Sequence, residues 1–87
     1  MAKIFFPNTK YVEYIKASKP HPINTQYKIS IGLEHWDDES YEVLKVQMIY
    51  NGKISGRRSP SYPVGTDDFE NVNKKAKELL DRYKKGM

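Results

Sequence analysis

The chain has 87 residues, no cysteine and a net charge of +4. That length holds one domain, residues 1–87, with one modest core: scaling gives roughly 5,300 Å² exposed when folded against roughly 14,800 Å² unfolded. The missing cysteines exclude a disulfide framework and a thiolate zinc site and make the cytoplasm the natural setting, and the short apolar run before Pro7 is neither a signal-peptide core nor a membrane span.

Residues 8–18, "NTKYVEYIKAS", come first in chain order. Asn8 or Thr9 can cap a short helix that uses Tyr11, Tyr14 and Ile15, and the same alternation also fits a strand; the helix is the reading adopted. Pro20 and Pro22 around His21 then force an extended linker. In "YKISIGLE", Tyr27, Ile29, Ile31 and Leu33 alternate with Lys28, Ser30, Gly32 and Glu34, the period of a strand with one buried face.

In "YEVLKVQMIY", Leu44, Val46, Met48 and Tyr50 form a second such set, so the two strands pair through the acidic loop between them. Asn51-Gly52 supplies the positive φ angles of a tight hairpin and predicts a third strand from about Lys53 to Ser59. A strict two-residue turn would put Lys53, Ser55 and Arg57 on the face of Tyr50 and Met48. A one-residue bulge at Gly52 would instead turn Ile54 and Gly56 inward and Arg57 outward, and this register is preferred on hydrophobic grounds. Phe69, Val72, Ala76, Leu79, Leu80 and Tyr83 recur at helical spacing and predict a helix over 67–85, with Thr66 or Asp67 at its start, acids in its first turn and Lys84, Lys85 and Gly86 at its end. The expected fold is α+β in the order α-β-β-β-α: a three-stranded antiparallel sheet, a C-terminal amphipathic helix on one face, and a short N-terminal helix.

That order, with "VQMIYNGKISGR" leading into "NKKAKELL", resembles the double-stranded RNA-binding domain over roughly residues 8–85. The resemblance implies that Lys74, Lys75 and Lys77 form a phosphate-gripping cluster on the final helix. In that family the first hairpin loop enters the minor groove; here it reads "HWDDES", whose acids repel phosphate. The layout of three strands and a helix also resembles the arm-binding domains of phage-type integrases, which read DNA with the sheet.

Charge gives an independent lead. Residues 1–33 carry five lysines against Glu13; 34–42, "EHWDDESYE", carry five acids and no Lys or Arg; 43–66 carry Lys45, Lys53, Arg57 and Arg58 and no acid. Residues 74–85 add six cations against two acids, and the basic blocks are expected to converge on one face. Arg57, Arg58, Lys45, Lys53, Lys74, Lys75 and Lys77 are therefore candidate contacts to a nucleic acid, DNA or RNA, with the paired arginines suited to bidentate phosphate or guanine contacts. Edge-strand protection by charge and proline is the competing structural account of the arginines.

The acidic loop supports a different class of function, a small protein-binding or inhibitor protein of the phage or mobile-element type. It would present His35, Trp36, Asp37, Asp38, Glu39 and Tyr41 to a partner enzyme. His35 lacks calcium-loop spacing around it, and one histidine among flexible acids makes a poor zinc site, so no metal or cofactor is expected. Without a Gly-rich phosphate loop or a Ser or Cys nucleophile motif, a binding protein rather than an enzyme is expected.

Overall fold

The alternating segments form the two central strands, β2 (Thr25–Trp36) and β3 (Glu39–Tyr50), in a computed structural model that describes residues 4–56 and 58–86. They are in register from Thr25–Tyr50 to Trp36–Glu39, so the acidic "loop" shrinks to the turn Asp37-Asp38 and its neighbours are strand residues. Asp37 takes the left-handed conformation of this turn, with φ of 52°.

The expected N-terminal helix is replaced by a strand, β1 (Ile4–Lys16), antiparallel to β2. Phe5, Phe6, Tyr11, Val12, Tyr14 and Ile15 have the aromatic and β-branched side chains that suit a pleated surface, and β1 pairs with an edge of β2 that would otherwise lie open. Pro7 is tolerated because β1 is an edge strand. The Asn8 signal is a turn signal of another kind. Register jumps between Pro7 and Val12, and within this bulge the Lys10 amide donates to Asn8 Oδ1 at 3.0 Å, a local side-chain turn rather than a helix cap. Opposite the bulge sits Gly32, where an added Cβ would fall 2.2 Å from the Phe6 carbonyl oxygen.

The last strand, β4 (Lys53–Ser55), is shorter than expected and has the other register. Tyr50 faces Lys53 across a strict two-residue turn in which Asn51 and Gly52 have φ of 50° and 81°. Ile54 accordingly points away from the core and is exposed. The burial argument fails because β4 is a short edge strand, and the turn's own geometry decides. The predicted outward orientation of Arg57 lies outside the described residues. The sheet therefore has four strands rather than three, in the order β1-β2-β3-β4, and the α+β class holds.

Helix α1 (Asp68–Lys85) lies over β1 and β2. Val72 and Leu79 are buried, and Ala76 and Tyr83 pack with them against Tyr27, Ile29, Ile31 and Met48. Phe69 and Leu80 flank the stripe and remain 58% and 38% exposed, so Leu80 is not the core residue its spacing suggested. Both helix ends are fastened. At the start, Asp68 accepts hydrogen bonds from the Ser18 amide (2.8 Å), the Ser18 hydroxyl (2.5 Å) and the Tyr27 hydroxyl (2.8 Å). Near the end, Arg82 donates to Glu13 Oε2 and to the Lys10 carbonyl, both at 3.0 Å, and Tyr83 meets Tyr11 edge-on with centroids 5.0 Å apart. One helix cannot cover strands of this length: the accessible surface of 6514 Å² exceeds the scaling value, and among the described residues no helix or strand packs on the sheet face opposite α1, although Ser30, Glu34 and Ile49 on that face are buried by their neighbours.

Candidate nucleic-acid interface

Residues directly opposite in register share a face of the sheet. Tyr27, Ile29 and Ile31 face the helix, so the uncovered face can be read in rows from the end near β4. The first row is Lys16, Gln26, Ile49 and Ile54; the second is Tyr14, Lys28 and Gln47; the third is Val12, Ser30 and Lys45. These three rows hold three lysines, one exposed tyrosine and no carboxylate. Farther along come Phe5, Glu34 and Tyr41, then Trp36 and Glu39. The uncovered face is basic and polar at one end, aromatic and acidic at the other.

Lys45, the one candidate cation here that sequence reasoning named, is half-buried; it is paired with Glu34 and its ammonium lies 5.2 Å from the Phe5 ring centre. Lys16 and Lys28 were missed because reading residues 8–18 as a helix removed β1 from the sheet and with it the row in which Tyr14 and Lys28 meet. The signal was present in the sequence: both lysines occupy the outward phase of an alternating stretch.

Arg58 is exposed, with its guanidinium carbon 5.2 Å from the centre of the Tyr50 ring, within cation–π range. It lines two depressions. One is a cleft of about 420 Å³ with Phe5, Lys45, Gln47 and Pro60 on the uncovered side; the other is a groove of about 730 Å³ with His21, Pro22, Tyr50, Tyr62 and Pro63 on the helix side. Arg57 lies outside the described residues. Lys53 is exposed immediately after the hairpin turn. Lys74, Lys75 and Lys77 ride on α1, on the other side of the sheet from Lys45, so the single convergent basic face expected from the sequence is divided in two. Lys75 is half-buried and engaged with Glu78 at 3.6 Å, whereas Lys74 and Lys77 are exposed.

The acidic residues gather at the distal hairpin. Trp36 and Tyr41 are 40% and 45% exposed, with ring centres 5.1 Å apart. The Tyr41 hydroxyl donates to Glu39, which pushes its phenol above the ordinary value. His35 Nδ1 lies 2.9 Å from Ser40 Oγ, while Asp37 and Asp38 stand exposed at the turn. Among the described residues, no three His, Asp or Glu side chains converge as metal ligands.

Beneath the helix-side groove is a polar seam. Tyr27 stacks on Tyr62 with centroids 5.1 Å apart, and its hydroxyl lies 2.9 Å from the Ser61 carbonyl, to which His21 Nε2 donates at 2.8 Å. Burial, reinforced by Asp68, pushes the Tyr27 phenol well up. Burial would also raise Asp68, but the two Ser18 bonds, the Tyr27 bond and nearby His21 outweigh it and hold the carboxyl below its ordinary value. This seam attaches the 58–66 segment to the sheet and so fixes Arg58 beside Tyr50.

Comparison with known proteins yields no matching family, no curated relative and no similar solved structure. No helix among the described residues is long and apolar enough to cross a membrane.

Proposed function

We propose that this chain is a small nucleic-acid-binding module with no catalytic step of its own, and that it grips the backbone with the uncovered sheet face and the hairpin beside it. The supporting observation is the acid-free set of rows: Lys16, Lys28 and Lys45 share one face with Tyr14, with Arg58 at its border. Cations spaced across a strand surface match a polyanion, and an exposed aromatic among them offers a stacking plane. Lys53, opposite Tyr50, adds an exposed cation at the hairpin on the helix-side face. The helix lysines serve a separate surface in this reading, because α1 lies on the other side of the sheet and Lys75 is engaged with Glu78.

Fluorescence anisotropy on a random single strand, its duplex and an RNA duplex, between roughly 50 and 200 mM salt, tests the proposal. Four phosphate contacts give a slope of about −3 in log affinity against log salt on single strands. No binding tighter than about 100 μM at low salt on any of the three overturns it.

A second reading is favoured by one observation, the exposed Trp36–Tyr41 pair beside Asp37 and Asp38, which suits a basic protein partner. In that case Trp36→Ala with Asp38→Ala, which spares the left-handed Asp37, abolishes the complex while leaving the melting temperature nearly unchanged.

A further inference from the structure

Resting on the nucleic-acid reading, we infer that the ligand is single-stranded, and that it passes from the cleft of Phe5 and Lys45 across Arg58 into the groove of Tyr50 and Tyr62. Three observations carry this. First, Arg58 lines both depressions, so they adjoin at one cation on the β4 side of the sheet. Second, neither depression has a carboxylate in its lining, although Glu34 neutralises part of the Lys45 charge from the side. An anionic occupant fits both. Third, each depression pairs an aromatic ring with a cation, Phe5 with Lys45 and Tyr50 with Arg58, both at 5.2 Å.

That repeated pairing is what a nucleotide chain requires: a plane for the base and a charge for the phosphate beside it. The groove volume of about 730 Å³, with Pro22 and Pro63 in its lining, lies within the range of small-ligand sites. Because the two depressions open on opposite sides of the sheet, the bound chain has to bend around the end of β4. A single strand turns freely over a few nucleotides, whereas a duplex, with a persistence length of about 150 base pairs, cannot follow such a path. The protein thus selects single strands by the shape of the track, without reading base edges. An extended proline-rich peptide with an acidic residue is the rival occupant of the groove alone; it would not engage Phe5 or Lys45.

The test is a competition titration with a labelled oligothymidylate of roughly ten nucleotides. The single strand is expected to bind at least tenfold more tightly than a duplex of the same length. Arg58→Ala and, separately, Tyr50→Leu should each weaken the single strand roughly tenfold, Tyr50→Leu should leave the duplex unchanged and Arg58→Ala should weaken it far less than the single strand, with circular dichroism confirming the fold. Arg58 is exposed, so at least that variant folds. Equal affinity for single strand and duplex, or no effect of either variant on single-strand binding, overturns the inference while the binding function stands. Displacement of the oligonucleotide by a proline-rich acidic peptide, with Lys45→Ala silent, also overturns it. No binding of any polynucleotide refutes the underlying function.

Discussion

Tyr27 and Asp68 meet hydroxyl to carboxylate at 2.8 Å across the seam between β2 and the start of α1, and both are almost wholly buried. Asp68 is the only carboxylate buried in this seam, and the groups that satisfy it come from the end of β1 and from β2. Tyr27→Phe is expected to lower unfolding free energy by about 1.5–3 kcal/mol, the range for a hydrogen bond to a charged group. Urea denaturation of the two single variants and of Tyr27→Phe with Asp68→Asn should reveal coupling between them; strictly additive losses would show that the pair does not act together.

Stability should depend on pH through the same carboxylate. The folded Asp68 carboxyl sits below its ordinary value of 3.8, so the unfolded chain takes up its proton first as pH falls. Its stabilisation is complete above the ordinary carboxylate range and is lost as pH drops through the lowered folded value. Urea midpoints taken from pH 7 downward should therefore fall most steeply below about pH 4. Asp68→Asn should flatten that acid limb; an unchanged limb would assign the acid sensitivity elsewhere.

Leu79 and Leu80 are adjacent and should behave differently. Leu79 is fully buried among Ile29, Met48 and Val72, so Leu79→Ala opens a cavity and is expected to cost about 2–5 kcal/mol, enough to unfold a domain of this size at moderate temperature. Leu80 is 38% exposed at the flank of the stripe, and Leu80→Ala should cost about 1 kcal/mol or less. Equal losses by thermal denaturation would contradict the observed helix rotation.

Gly32 has no room for a side chain beneath the bulge of β1. Gly32→Ala should lower the melting temperature by several degrees, at about 1–3 kcal/mol, and should loosen amide protection in the first turns of β1 more than in β3. Unchanged hydrogen exchange at Phe5 and Phe6 would mean that β1 accommodates the methyl group.

The central hairpin and the final helix were legible because their apolar residues recur at one period over a long stretch. Residues 8–18 were not, because Tyr11, Tyr14 and Ile15 satisfy either period and Asn8 serves helix caps and local turns alike. What decided the matter was the unpaired edge of β2, which a scan for periodicity cannot see. The register of β4 departs from the burial argument for the opposite reason: a short edge strand needs no buried face, and Asn51-Gly52 alone specifies the turn. The candidate cations Arg58 and Lys45 were legible from composition. Their grouping was not, since which lysines share a face depends on the pairing of β1, and with β1 taken for a helix, Lys16 and Lys28 had no row to belong to.

The order of the sheet has a kinetic consequence. Each strand pairs with its neighbour in sequence, and two of the three connections are two-residue turns, so the loop closures needed to build the sheet are short. The distant encounter is the arrival of Asp68 at Ser18, 50 residues away. The meander should thus assemble ahead of the helix, and the 58–66 segment, with Arg58 on it, should take its place only when the helix docks. Mutations in the Asp68 seam would then accelerate unfolding while leaving the refolding rate almost untouched.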